Sequence, residues 1–496
     1  MEIAFLQSSL YQFRRYMDTK SINNLINKAM EEMDLPGAAI AVVQGDETYV
    51  HGFGKRQNGK PETVDADTVF AIGSTSKAFT SAAAGILVGE GKISWDDPVI
   101  KYLPEFTVNE DWVTKNVSIR DLLCHRLGLE RAQRLYYQGC YSQDELVLRM
   151  RFLHPNAPFR SQFQYANQNF GTVGNVIKAV SGKSWDDFVT ENIFQPLGMT
   201  RTFPGYDRIP DFENFSQPHA VMDLEVPAGV RFLGTPSLAA NIKLSHEPSG
   251  SIHTTAADLA KWLKALLSDG APLMSHSVFS EITSPQMIMQ NLAESELAPL
   301  FLLQPGTHFW TYGLGWWVMD YRGEKVVMHG GQMPGYNSVV AFYPERKIGF
   351  AFMVNTHQTL SHAAMFYALS DLLLNLSGRD WVMEFKNLAL RYIDEVQKQV
   401  KGLYQTRNSK LPPGNSLSSF AAAYENSIYG KVIVDVSGDS LTLVYGNINA
   451  RLEHWEGNTF LAHWNLSCFL DDSFVSFEPN GSSLTIVNDH AEYKRI

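Results

Sequence analysis

A serine and a lysine stand three residues apart at positions 74 and 77, in VFAIGSTSK (residues 69–77), where a strand-like apolar run passes through Gly73 into an alanine-rich helical run. On a helix, positions i and i+3 share a face. The Ser74 hydroxyl and the Lys77 amine are therefore neighbours, and the unpaired N–H groups of a first helical turn surround the hydroxyl. A serine hydroxyl is a weak nucleophile at neutral pH. A lysine can act as its base once desolvation or nearby cations lower the lysine pKa. The pair offers covalent acyl chemistry on Ser74. The same four residues also describe a helix cap followed by a solvated lysine, so the rest of the chain has to decide.

Two further groups carry suitable chemistry. In the polar loop before the helix pattern GTVGNVIKAVSG (residues 171–182), Tyr165 can relay a proton beside a cation, and Asn167 can aim an amide into the same cleft. A packing tyrosine and a helix-capping asparagine are the structural alternatives. His329-Gly330-Gly331 reads as the end of a strand, where two glycines allow close backbone approach and leave N–H groups free for an oxyanion; a solvated histidine is the alternative. His125 follows the helix pattern SIRDLL (residues 118–123) and reads as a helix-end or packing residue rather than a catalyst, at a C-terminus where an imidazolium suits the negative end of the dipole.

These residues need elements to hold them. Residues 21–33 form an amphipathic helix pattern, which Pro36-Gly37 ends. AAIAVV (38–43) then reads as a buried strand, and TYVHGFGKR (48–56) as its hairpin partner across Gly45-Asp46. Residues 312–355 give four alternating or apolar runs joined by turns, which predicts an antiparallel sheet. Residues 254–268 are a capped amphipathic helix. The irregular stretch of about forty-five residues after Met199 is expected to form a cleft wall or lid.

At 496 residues the chain exceeds one typical domain. Its formal net charge is −11 with acids and bases interspersed, so it offers no basic stripe for nucleic acid and no polybasic segment for a membrane surface. Cys124, Cys140 and Cys468 lack the spacing of a metal site or redox pair. The first residues, with Glu2 and no basic leader, read as no signal peptide, and no apolar run of ~20 residues spans a membrane. The expectation is a soluble cytoplasmic protein, for which the sequons at Asn116, Asn214, Asn375, Asn465 and Asn480 are chance.

Taken in order, these pieces resemble the serine β-lactamases and penicillin-binding proteins, particularly class C-like esterases and D-aminopeptidases. The SxxK motif is Ser74-Thr75-Ser76-Lys77, the YxN motif is Tyr165-Ala166-Asn167, and the KTG or HxG motif is His329-Gly330-Gly331. LPGAAIAVV (35–43), LLCHRLGL (122–129), PLGMTRT (196–202) and FYPERKIGFAFMVN (342–355) extend the likeness from about residue 20 to 378. The resemblance implies an α+β fold: a β-lactamase-like antiparallel sheet flanked by helices, plus an all-helical subdomain. It also implies roles. Ser74 attacks an ester or amide carbonyl, Lys77 and Tyr165 share base and acid work, and Asn167 orients the lysine or the substrate amide. His329, followed by Gly330 and Gly331, lines the opposite wall, and the N–H groups of Ser74 and Gln332 form the oxyanion hole. No metal or organic cofactor is implied. Where the family's Lys-Thr-Gly holds a lactam carboxylate, His-Gly-Gly gives a weaker counter-charge, so β-lactam recognition is not expected.

Residues 381–401 read as one long helix, and Pro412-Pro413-Gly414 as a linker. Short alternating strands from about Ser419 resemble the lipocalin-like barrel appended to some of these hydrolases. The expected organisation is a hydrolase domain at 1–380, helix and linker at 381–418, and a small antiparallel barrel at 419–496. The expected function is a serine hydrolase acting on an ester or amide bond of a small-molecule or peptide substrate. An acyltransferase or peptide cyclase using the same acyl-enzyme, and a non-catalytic binding protein, are the alternatives. Self-association is left open.

Overall fold

The computed structural model of the protein describes residues 17–132, 135, 139, 141–221, 230–232, 247–289, 307–357, 359–376, 378–408, 410–465, 473–487 and 491–496. The N-terminal stretch, Cys140, Cys468 and much of the irregular segment after Met199 lie outside the described residues.

AAIAVV is buried on both faces, and the architecture follows from that. In β1 (Gly37–Gln44), Ala39, Ala41 and Val43 face one core while Ala38, Ile40 and Val42 face the other. The sheet therefore sits between two helical layers. β1 turns at Gly45 (φ +58°), a left-handed conformation that glycine adopts without strain, into β2 (Glu47–Gly54). This hairpin joins the later strands β5 (Met287–Ile288), β6 (Trp310–Tyr312), β7 (Trp317–Tyr321), β8 (Glu324–Met333), β9 (Tyr336–Tyr343) and β10 (Ile348–Val354). The order across the eight-stranded antiparallel sheet is β2-β1-β10-β9-β8-β7-β6-β5, with Ala38 opposite Val354. The antiparallel sheet expected for 312–355 is thus present. The N-terminal hairpin extends it, a pairing over some 300 residues that local patterning does not carry.

α1 (Thr19–Glu32) and α6 (Ser361–Leu373) cover one face. On the other lie α5 (Ala256–Leu267), capped by Thr255, and α2 (Ser76–Gly89), buried along Ser76–Leu87, with Phe79 stacked on Trp262. The shorter α3 (Ile119–Leu123) and the longer α4 (Asn167–Ser181) belong to the helical layer beside α2.

The start of α2 is pressed against the sheet by glycine. A Cβ added at Gly331 in β8 would lie 1.8 Å from the carbonyl oxygen of Ile72, and one at Gly73 would lie 2.5 Å from the Gln332 carbonyl oxygen. Ser338 of β9 donates to the same Ile72 carbonyl at 2.7 Å and pairs with the Thr75 hydroxyl at 2.9 Å. Gly331→Ala is therefore expected to force the Ser74 turn off the sheet. The expected cost is about 1–3 kcal/mol, seen as a lower denaturant midpoint at unchanged slope, with a larger loss of activity than of folded protein. An unchanged midpoint would show that the turn is not held there.

α7 (Trp381–Thr406) leads out of this domain, running past the expected end at 401. Its start is fixed by the Trp381 indole, which donates to Asp371 at 2.7 Å, and its far end by Arg407, paired with Glu453 at 2.7 Å. Beyond it, eight strands from β11 (Ala422–Asn426) to β18 (Ala491–Arg495) close an antiparallel barrel filled by residues such as Val432, Val434, Leu441 and Leu443. The barrel docks on the helical layer. Arg149 donates to the Ser427 and Ile428 carbonyls, both at 2.8 Å, Asn447 donates to Gly139 at 3.1 Å, and Tyr141 lies under the Arg149 guanidinium. Gly430 (φ +81°) is where the two meet: its Cβ would fall 1.7 Å from the Tyr141 hydroxyl. Among the described residues, no helix is long and apolar enough to cross a membrane.

Candidate active site

A two-stranded pairing of β3 (Phe70–Ala71) with β4 (His253–Thr254) delivers the chain to a single 3-10 turn, Gly73–Thr75, which opens α2. Ser74 sits in that turn, and Lys77, one turn on, is fully buried. The Lys77 Nζ lies 3.1 Å from Ser74 Oγ, 2.8 Å from Asn167 Oδ1 and 2.9 Å from the Ser249 carbonyl oxygen. Burial first, and then the Arg131 guanidinium, hold its pKa well below the ordinary 10.5. In its neutral form, which this shift favours, the amine has two N–H donors and one lone pair. The Asn167 and Ser249 oxygens can only accept, so they take both N–H groups and leave the lone pair for the Ser74 hydroxyl, which then donates. In that form the arrangement lets Lys77 accept a proton from Ser74.

Asn167 opens α4 without capping it, because the N-cap is Ala166; its side chain turns to Lys77 instead. Tyr165 stands beside the same amine, with Lys77 Nζ 4.7 Å and the Arg131 guanidinium carbon 5.4 Å from its ring centroid. The four residues expected from the first two motifs are thus brought together. Two contributors were not legible in the sequence. Arg131 lies in no recognisable motif, and the Ser249 contact is a backbone carbonyl from a point 172 residues away, which no side-chain pattern announces.

The third motif differs from its expected setting. His329 lies in mid-strand in β8, not at a strand end, and its side chain is fully buried on the face of Val327 and Met333. Its Nδ1 lies 2.6 Å from the Gly330 carbonyl oxygen, so Nδ1 carries the proton and Nε2 accepts from the Tyr312 hydroxyl at 2.9 Å. Burial, with Lys77 adding to it, depresses its pKa to about 3, so the ring is neutral. Its centroid is 6.4 Å from that of Tyr165. Gln332 is exposed on β8, and its backbone runs against Gly73, beside Ser74.

His125 takes the second of its two expected settings. The residue is fully buried, so of the helix-end and packing readings the packing one holds; burial above all, with smaller contributions from the neighbouring Lys77, His329 and Arg131, keeps its pKa well below 6.5. The dipole argument fails because tertiary packing removes the water that a charged ring needs.

A family model described as beta-lactamase matches residues 22–373. The chain belongs to the beta-lactamase family. Within and beyond that span it is 28% identical over 411 residues to the unguisins hydrolase ungD' of Aspergillus campestris, covering 78% of this chain and 72% of that protein. The protein flp of Staphylococcus aureus is 23% identical over 350 residues, 68% of this chain and 63% of its own. The beta-lactamase fold appears likewise in the octameric penicillin-binding protein homologue from Pyrococcus abyssi, at TM-score 0.62 and 21% identity, covering 96% of this chain and all of that one. The D-amino acid amidase of Ochrobactrum anthropi SV3 superposes at TM-score 0.57 and 20% identity, over 71% of this chain and 98% of its own. A second model, a domain of unknown function, matches residues 406–492, the barrel. The family expectation from the three ordered motifs is therefore borne out.

Proposed function

We propose that the protein is a serine hydrolase that forms an acyl-enzyme on Ser74 and cleaves an ester or amide bond of a small, peptide-like molecule. The observation that carries this reading is the buried Lys77 amine, within hydrogen-bond reach of Ser74 Oγ and of two oxygens that can only accept, an arrangement that in the neutral amine leaves the lone pair for Ser74. As Ser74 Oγ attacks the carbonyl carbon, its proton passes to Lys77 Nζ, and the Asn167 and Ser249 oxygens stabilise the resulting ammonium. The backbone N–H groups of Ser74 and Gln332 receive the developing oxyanion. Collapse breaks the bond to the leaving group, which takes a proton from the Lys77–Tyr165 pair. Water, deprotonated by the same pair, then releases the acid and restores Ser74.

The likeness to a hydrolase of unguisins and to a D-amino acid amidase supports hydrolysis, the amidase pointing to an amide bond. The neutral, buried His329 argues against lactams, since it offers no charge to a lactam carboxylate. The octameric neighbour supports self-association of this chain as well.

The test is intact-mass analysis after mixing with activated esters, D-amino-acid amides and β-lactams, with peptide mapping of any adduct. An acyl increment on the Ser74 peptide, and faster turnover of esters and amides than of lactams, is the expected result. No increment refutes the acyl-enzyme, and faster lactam turnover refutes the substrate class.

A further inference from the structure

We infer that His125 is a positioning residue for Tyr165, gripping the YxN loop at the residues on either side of the tyrosine. This rests on the reading of Tyr165 as part of the proton-transfer machinery. The His125 carbonyl accepts from the Gln164 N–H at 2.7 Å, and its Nδ1 accepts from the Ala166 N–H at 3.1 Å. Gln164 and Ala166 bracket Tyr165 in the chain, so one residue fixes the backbone before and after it.

Three further observations make the grip specific. The His125 backbone has φ +57°, a left-handed conformation that non-glycine residues rarely adopt, and there both its carbonyl and its ring reach the loop. Its ring centroid lies 4.5 Å from that of Tyr165, so it also supports the tyrosine ring, with Phe163, Phe170 and Tyr312 at 5.6, 5.2 and 5.0 Å closing the cage. Since Nδ1 accepts, the proton must be on Nε2, which is buried with no hydrogen-bond partner among the described residues. A buried donor left unpaired is unfavourable, and it persists where the other ring nitrogen has a task. An imidazolium would set an N–H against the Ala166 N–H and break the grip. The neutral state imposed by burial beside Lys77 and Arg131 preserves it.

The experiment compares His125→Leu, which keeps bulk but loses the acceptor, with His125→Asn, whose side-chain oxygen can replace Nδ1 and which tolerates a left-handed backbone. Each is made alone and with Tyr165→Phe, and kcat and KM are measured on an activated ester. His125→Leu is expected to lower kcat by roughly ten- to a hundredfold with little change in KM, as for a small misplacement of a reacting group. His125→Asn should recover most of that loss. In the Tyr165→Phe background, His125→Leu should cost little more, because the residue it positions is already disabled. Equal losses in both backgrounds, or an asparagine variant as poor as leucine, overturns the inference. So does the tautomer: 15N spectra of the wild-type protein, with the His125 signal assigned by its loss in His125→Asn, must show neutral Nε2–H. An Nδ1–H ring or an imidazolium at neutral pH would sink the grip even if the leucine variant fails to fold. Failure of the wild-type protein to acylate at Ser74 would instead remove the enzymatic reading beneath it.

Discussion

Ser74→Ala is expected to leave no covalent adduct with a fluorophosphonate probe or an activated ester, and to lower kcat by roughly six orders of magnitude, as loss of a serine nucleophile does elsewhere. The expectation follows from what remains. Without Oγ, the Lys77 lone pair has no proton to remove within 3.1 Å, and only binding and the oxyanion N–H groups persist, typically about 10³–10⁴-fold over water. The fold should survive, because the half-buried hydroxyl contributes one hydrogen bond, about 0.5–1.5 kcal/mol. Intact mass and peptide mapping decide the matter: an adduct on any other residue at the wild-type rate would end the assignment of Ser74.

The second large effect belongs to Lys77→Met, which fits the buried site without an amine. Loss of the base is expected to cost about 10²–10⁴-fold in acylation. In the wild-type protein, activity should fall as pH drops through the depressed Lys77 pKa, since protonation consumes the lone pair; the methionine variant should lack that limb. Stability moves with pH in the same direction. Between the depressed value and 10.5, the unfolded chain holds a proton on this lysine that the folded chain has released. The residue therefore opposes folding most at low pH. Stability rises with pH by up to about 1.4 kcal/mol per unit, and the penalty vanishes above 10.5. Lys77→Met removes this slope, while leaving the Asn167 and Ser249 oxygens without a donor at about 1–3 kcal/mol each. Denaturant melts from pH 6 to 10 should show the variant gaining least, relative to wild type, at the alkaline end. Parallel curves would mean that Lys77 stays protonated in the folded protein.

Sequence reading reached Ser74 and Lys77 because their relation is local, one helical turn. Tyr165 and Asn167 were legible as a spaced pair, and the alternating runs of 312–355 announced their sheet. What escaped depends on tertiary packing. The Ser249 carbonyl completes the lysine site through a backbone atom that looks the same in any sequence. Arg131 acts through its charge on Lys77 and Tyr165, and a lone arginine in a loop carries no spacing signal. His125 was legible only as a helix-end or packing residue, because its place after α3 does not tell that the YxN loop and Tyr312 bury it. His329 was placed at a strand end with its glycines open to a ligand, yet the close approach that Gly331 allows is that of the Ile72 carbonyl, and β8 runs on to Met333.

The junction at Arg149, Tyr141, Asn447 and Gly430 bears on how barrels can be exchanged between relatives. By sequence, the natural place to cut is after α7, near Arg407. A foreign barrel spliced there would have to bring its turn carbonyls to the same points beneath Arg149, and any side chain at position 430 would collide with Tyr141. The transplantable unit is therefore discontinuous: the barrel together with residues 139–149 of the helical layer. Chimeras that carry only the C-terminal piece would inherit a mismatched seam, however well each half folds alone.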